Sequence, residues 1–188
     1  MDINSFLILG HIIGTAIGVG GATVADILFF RSIRDGKISQ DEFLTMKLLS
    51  RIIMAGFMLL VISGLGFFIL LWLNTGSLAG MPDRMSAKLY IVAIIFLNSR
   101  ILAYKVLPMI KNSVGKNIQP ILERNSFLVL TTGSISIISW YSALLLGSWR
   151  EIPFSFIQIL GIYICVLVVT CIVMNSIGVK RLKRILYD

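Results

Sequence analysis

The sequence predicts an all-α polytopic membrane helix bundle with five transmembrane helices, and three observations lead to this fold class. The mean hydropathy of +0.92 and the 57% of hydrophobic residues exceed the values typical of soluble globular chains. Five apolar stretches are long enough for a helix to cross a bilayer, which takes about 20 residues. Basic residues concentrate in alternate connections between these stretches, as they do in membrane proteins.

The five predicted spans cover residues 6–30, 48–73, 88–108, 126–148 and 152–179. The third is the most polar, with Arg100 and Lys105 in its second half, but the charge pattern requires a crossing at that place. The N-terminal residues lack the basic start and the cleavage site of a signal peptide, so we expect the first span to remain in the mature protein. No repeat or long linker divides the sequence, and residues 1–188 are therefore expected to form a single transmembrane domain.

The distribution of charge predicts an orientation. Thirteen of the seventeen basic residues fall in residues 31–51, 105–125 and 180–188. The positive-inside rule places these segments in the cytoplasm, with the N-terminus outside, the C-terminus inside and residues 180–188 as a basic cytoplasmic tail. We expect a multi-pass protein of the bacterial plasma (inner) membrane. Orientation accounts for the net charge of +8, so the expected partner is the lipid bilayer and not nucleic acid; a homo-oligomer or a larger membrane complex is left open.

A helix start is predicted before the second span. Asp35 and Gly36 form a turn signal, and Ser39 is followed three residues later by Glu42, which is the spacing of a capping box. This pattern predicts a short cytoplasmic helix that begins after Ser39.

Small residues form a stripe along the first span. Gly10, Gly14, Gly18 and Ala22 recur at four-residue spacing, and such spacing lets another helix approach closely in a membrane. The interpretation is packing against a neighbouring helix of the same chain, with self-association or a shelf for a ligand as alternatives.

His11 is the single histidine and lies inside the first span. Ionisable groups within a membrane are costly and usually face the bundle, which favours ligand binding or proton transfer. The alternative is a neutral imidazole that is hydrogen-bonded to a neighbouring helix. Lys88 begins the third span at the same end of the bundle, so we expect the two side chains to lie close together.

Asp26, Arg51 and Arg100 lie toward the opposite end of the first three spans. An isolated carboxylate at that depth is costly, so we expect a structural ion pair between Asp26 and one of the two arginines. A proton-relay or substrate-gating role for Asp26 is the alternative.

Two short segments carry a family resemblance, HIIGTAIGVGG at residues 11–21 and AKLYIV at residues 87–92. They resemble the small bacterial membrane superfamily that contains HemJ-type protoporphyrinogen oxidases and CopD-like proteins. In HemJ-like members a first-helix histidine and a third-helix lysine belong to a haem-associated site, which the resemblance places at His11 and Lys88. The chain lacks the further histidines and the asparagine-rich motif of the HemJ-type enzymes, so the resemblance implies a haem or porphyrin site and leaves enzymatic activity open.

These observations give two functional hypotheses. The first is a membrane protein that binds haem b for electron transfer or haem handling, with His11 as the iron ligand and with Lys88, Gly14 and Gly18 around the cofactor. The second is a non-enzymatic membrane protein, which is either a subunit or small-solute transporter in which His11, Asp26 and Arg100 line a path, or an assembly factor whose glycine stripe docks a partner.

Overall fold

The computed structural model describes residues 2–33, 36–77, 81–149 and 151–178, and the predicted tail at residues 180–188 lies outside them. A π-helical turn, Leu102–Val106, joins the helices Asp83–Ile101 and Leu107–Ser113, and another, Met174–Gly178, follows the helix Phe156–Val173. Five helical rods are long and apolar enough to cross a membrane, with Asp83–Ser113 as the third. The predicted fold class is therefore confirmed, and the chain is a multi-pass membrane protein. The α-helices are α1 (Ile3–Ser32), α2 (Gln40–Thr75), α3 (Asp83–Ile101), α4 (Leu107–Ser113), α5 (Gln119–Ser148) and α6 (Phe156–Val173).

The first two helices begin at side-chain caps. Asp2 accepts a hydrogen bond from the backbone N–H of Ser5 at 3.1 Å, and hydrogen bonds from the side chain and backbone of Ser5 lower the pKa of the Asp2 carboxyl below its usual value. Ser39 and Glu42 form the predicted capping box at the start of α2. The expectation of a separate short helix there is wrong, because no glycine or proline interrupts residues 40–55 and the helix continues into the second span.

The third and fifth spans differ from their predicted bounds. The third rod starts at Asp83 instead of residue 88, and its wide π-helical turn at Leu102–Val106 directly precedes α4, which has Pro108 in its first turn. Proline lacks the N–H that an α-helical hydrogen bond needs, so a change of register before it satisfies the backbone. α6 starts at Phe156 instead of residue 152, because Ser155 forms the N-cap of that helix.

α1 packs closely along α2, and the small residues of α1 make this possible. A Cβ atom added at Gly14 would lie 2.7 Å from the backbone nitrogen of Leu60 and 2.8 Å from the carbonyl oxygen of Gly56. At Gly18 an added Cβ would overlap the ring of Trp140 on α5. The stripe therefore contacts neighbouring helices of the same chain, as the first interpretation proposed.

The two connections that precede α2 and α5 meet at one end of the bundle. The backbone N–H of Gly115 donates to the carbonyl of Ile38, and that of Ile118 donates to the carbonyl of Gly36, both at 3.0 Å. Ile38 and Ile118 are fully buried in an apolar cluster beneath this contact. The basic residues of 31–51 and 105–125 that the structure describes therefore lie at the same end of the molecule.

Candidate functional site

Both ring nitrogens of His11 lie within hydrogen-bond distance of a side chain from another helix. Its Nδ1 lies 3.0 Å from the hydroxyl of Ser63 on α2, and its Nε2 lies 3.0 Å from Nζ of Lys88 on α3. The Ser63 hydroxyl lies 3.0 Å from the Leu60 carbonyl, to which it can donate, and all of these contacts are satisfied when the Nδ1–H of His11 donates to Ser63. The lone pair on Nε2 then accepts from Lys88. The expected proximity of His11 and Lys88 is confirmed.

An open cavity of about 250 Å³ lies beside this pair, and we call it the His11 cavity. Lys88 and Arg84 both line it, and Arg84 also donates to the carbonyl oxygen of Trp149 at 3.2 Å. Gly147 leaves room for the ammonium group, since an added Cβ would lie 3.2 Å from Nζ of Lys88. None of the described residues that line the cavity is acidic. Most of the remaining wall is apolar and includes Leu65, Phe67, Phe68 and Leu89.

Ser63 and Arg84 are parts of this site that the sequence reasoning missed. A signal for Ser63 existed, because Gly56, Ser63 and Gly66 recur at helical spacing and form a small-residue face on α2. A Cβ added at Gly66 would indeed overlap the side chain of Leu7 on α1. Arg84 lies only four residues before Lys88, on the same face of α3.

Asp26, Arg51 and Arg100 line a second cavity of about 350 Å³, which we call the Asp26 cavity. Asp26 lies about 22 Å from His11 along α1, because an α-helix rises 1.5 Å per residue. Oδ2 of Asp26 and Nε of Arg100 are both buried without a hydrogen-bond partner. The guanidinium carbon of Arg100 lies instead 5.4 Å from the ring centroid of Phe96 and 5.6 Å from that of Tyr104.

The predicted ion pair of Asp26 is therefore absent from the described part of the structure. Within the described part of the chain, Asp26 pairs with neither Arg51 nor Arg100. Arg51 is exposed at the start of the span, and the rings of Phe96 and Tyr104 hold Arg100 through cation–π contacts. The three charged residues share one cavity without direct contact.

Haem binding at His11 needs a free imidazole nitrogen and space for a macrocycle. In this conformation Lys88 takes the Nε2 lone pair. The backbone of α2 and the ring of Trp140 take the space that we expected beside Gly14 and Gly18. Among the described residues no group of three or more potential metal ligands occurs. Haem binding stays a prediction, and it requires a rearrangement at Lys88.

Comparisons of the chain with protein-family models, with curated proteins and with solved structures gave no match. The resemblance to HemJ-type and CopD-like proteins thus rests on residues 11–21 and 87–92 alone and stays a prediction. The structure itself defines the class of protein as a five-span membrane bundle, with polar residues in cavities at both ends.

Proposed function

We propose that the chain is a non-enzymatic membrane protein that binds an anionic lipid in the His11 cavity. The phosphate or carboxylate of the headgroup would contact Lys88 and Arg84, and the hydrocarbon tail would lie along the apolar wall. The observation that carries this proposal is the position of Lys88 inside a membrane bundle, where its Nζ lies 3.0 Å from Nε2 of His11 and no acidic residue lines the described wall of the cavity.

The electrostatic argument concerns the missing counter-charge. A partly desolvated cation in a membrane is normally paired with an acid or with backbone carbonyls. The imidazole of His11 gives Lys88 an acceptor but no negative charge, and no acidic residue lines the described wall of the cavity. An anionic headgroup would supply that charge, and Arg84 would offer the planar donor pair that suits phosphate or carboxylate.

The shape of the cavity supports an amphiphile over a small inorganic anion. Leu65 on α2 and Leu89 on α3 line the cavity and are also exposed, with 55% and 44% of their surfaces accessible. Exposed apolar side chains in a membrane helix face lipid tails. The opening between them would let a tail remain in the bilayer while its headgroup enters the site.

Lipid retention in native mass spectrometry tests this proposal. The protein is titrated in detergent with phosphatidylglycerol and, separately, with phosphatidylcholine, and the retained lipid is counted. We expect preferential retention of phosphatidylglycerol and about tenfold weaker binding in Lys88→Gln, because a charge-assisted contact contributes roughly 1.5 kcal/mol.

Lys105→Gln is the matched control, since Lys105 is an exposed lysine at the other end of the same helical rod. Its retention of phosphatidylglycerol should equal that of the parent. Equal retention of the two lipids by the parent, or equal losses in both variants, would reject the His11 cavity as an anion site.

We also infer that the protein resides in a bacterial plasma membrane with its N-terminus outside. The two basic connections lie at one end of the bundle, which supports this orientation under the positive-inside rule. In that orientation the His11 cavity opens to the outer leaflet.

A further inference from the structure

Both cavities extend into a cleft between α2 and α3, and residues of α1 and α5 complete their walls. α2 packs along α1 and α3 packs against α5, whereas α2 and α3 make few direct contacts with each other. The His11 cavity occupies one half of this gap, and the Asp26 cavity occupies the other half. The cleft therefore follows the long axis of the bundle and has polar side chains near both ends.

One layer of large side chains separates the two cavities. The ring of Phe57 stacks on that of Phe96 across the cleft, with centroids 6.2 Å apart, and meets the ring of Trp140 edge-on at 6.1 Å. Phe57 and Trp140 line the Asp26 cavity, and Leu60, one turn further along α2, lines the His11 cavity. We call Phe57, Phe96 and Trp140 the aromatic layer.

Three residues that line the Asp26 cavity carry polar atoms that are buried without a hydrogen-bond partner. Asn98 is only 4% exposed, and because its Nδ2 donates to the carbonyl of Thr132 at 3.0 Å, its Oδ1 is the unpartnered acceptor. Nε of Arg100 is an unpartnered donor, and Oδ2 of Asp26 is a second unpartnered acceptor. If these side chains rotate into the cavity, a headgroup with an anionic oxygen and a hydroxyl or ammonium group would complement all three atoms.

We infer that the α2–α3 cleft moves an anionic lipid between the two leaflets, with the aromatic layer as the barrier. This inference rests on the proposed function, because the His11 cavity is its first binding site. The headgroup passes from Lys88 to Arg100, about 18 Å along α3, while the tail stays in the bilayer at the open side of the cleft. The positive charges of Lys88 and Arg100 compensate for the water molecules that a charged headgroup loses when it enters the cleft.

A vesicle assay tests the transfer directly. The protein is reconstituted into phosphatidylcholine vesicles that contain a trace of fluorescent NBD-phosphatidylglycerol in both leaflets, and dithionite then bleaches the outer leaflet. We expect bleaching to continue past the outer-leaflet fraction in protein-containing vesicles but not in empty ones. Enclosed NBD-glucose must remain fluorescent, which shows that dithionite itself stays outside.

Two variants should change the rate of lipid transfer in opposite directions. Phe57→Ala removes one ring from the aromatic layer, and we expect several-fold faster bleaching. Ala103→Phe places a ring in the Asp26 cavity, which Ala103 lines, and we expect several-fold slower bleaching. Ile157→Ala is the control, because Ile157 lies on α6 and is 78% exposed; it should match the parent. Size-exclusion profiles confirm that each variant is folded.

The outcomes separate this inference from the proposed function. Retention of phosphatidylglycerol in the mass spectra without any bleaching beyond the outer leaflet would overturn the transfer and leave the binding site intact. If the parent protein shows neither preferential retention of phosphatidylglycerol nor bleaching beyond the outer leaflet, both proposals would be overturned. Parent-like rates in folded Phe57→Ala and Ala103→Phe would overturn the path through the cleft.

Discussion

The imidazole of His11 illustrates how one residue becomes specialised through its neighbours. Ser63 takes its Nδ1–H and Lys88 takes its Nε2 lone pair, so both ring nitrogens are engaged within the chain. The closeness of Lys88 was predictable, since both residues were expected near the same end of parallel spans. The role of Ser63 was not, because position in a span gives depth in the membrane but not the direction of a side chain.

Haem ligation by His11 is a testable prediction at this scale. If His11 is an axial ligand, protein purified after growth with ample haem will show a b-type spectrum on dithionite reduction, and folded His11→Ala will lose it. A colourless parent after haem reconstitution, or a spectrum unchanged in His11→Ala, would exclude this ligand.

The unpaired carboxylate of Asp26 gives a prediction about stability. Breaking a buried ion pair usually costs about 3–5 kcal/mol, but Asp26 has no guanidinium partner to lose among the described residues. We therefore expect Asp26→Asn to leave the free energy of unfolding in detergent unchanged or to raise it. Glu151→Gln, at an exposed loop residue, is the reference. A loss near 3 kcal/mol would mean that the ion pair forms in the membrane.

At the scale of elements, the α1–α2 contact depends on the absence of side chains. Gly14 faces the backbone of α2, whereas an added Cβ at Gly20 would meet no atom within 4 Å. We predict that Gly14→Ala lowers the free energy of unfolding by about 1–3 kcal/mol through overpacking. Gly20→Ala makes the same change on the same helix and should be neutral or stabilising by up to about 1 kcal/mol. Equal unfolding energies for both variants would contradict this account of the contact.

The existence of every span was predictable from the sequence, because about 20 apolar residues are a strong signal. The residues at which the helices begin and end were less predictable from the sequence. Hydropathy marks the stretch that lipid covers, whereas hydrogen bonding and caps set the ends, as at Ser39 and Ser155. The π-helical turn before Pro108 was also not predicted, because a proline inside an apolar span can kink, end or widen a helix.

For the whole molecule, the two cavities were beyond the reach of sequence reasoning. Charge and depth placed Asp26 and Arg100 near one end, but only packing shows that α2 and α3 remain apart while α3 packs against α5. The cation–π contacts of Arg100 with Phe96 and Tyr104 depend on that arrangement. A pairing rule based on charge alone therefore placed Asp26 and Arg100 at the correct end of the bundle but predicted the wrong contact.

The orientation of the whole bundle in the membrane can be tested with reporter fusions. Residues 36–38 bind residues 114–118 through backbone hydrogen bonds, so both connections must lie on the same side of the membrane. Their lysines and arginines favour the cytoplasm. A reporter that is active only in the periplasm should therefore be silent when it is fused after Ile38 or after Gly115, and active when it is fused after Ser77. Periplasmic activity at both Ile38 and Gly115 would invert the topology, and it would turn the His11 cavity toward the cytoplasmic leaflet.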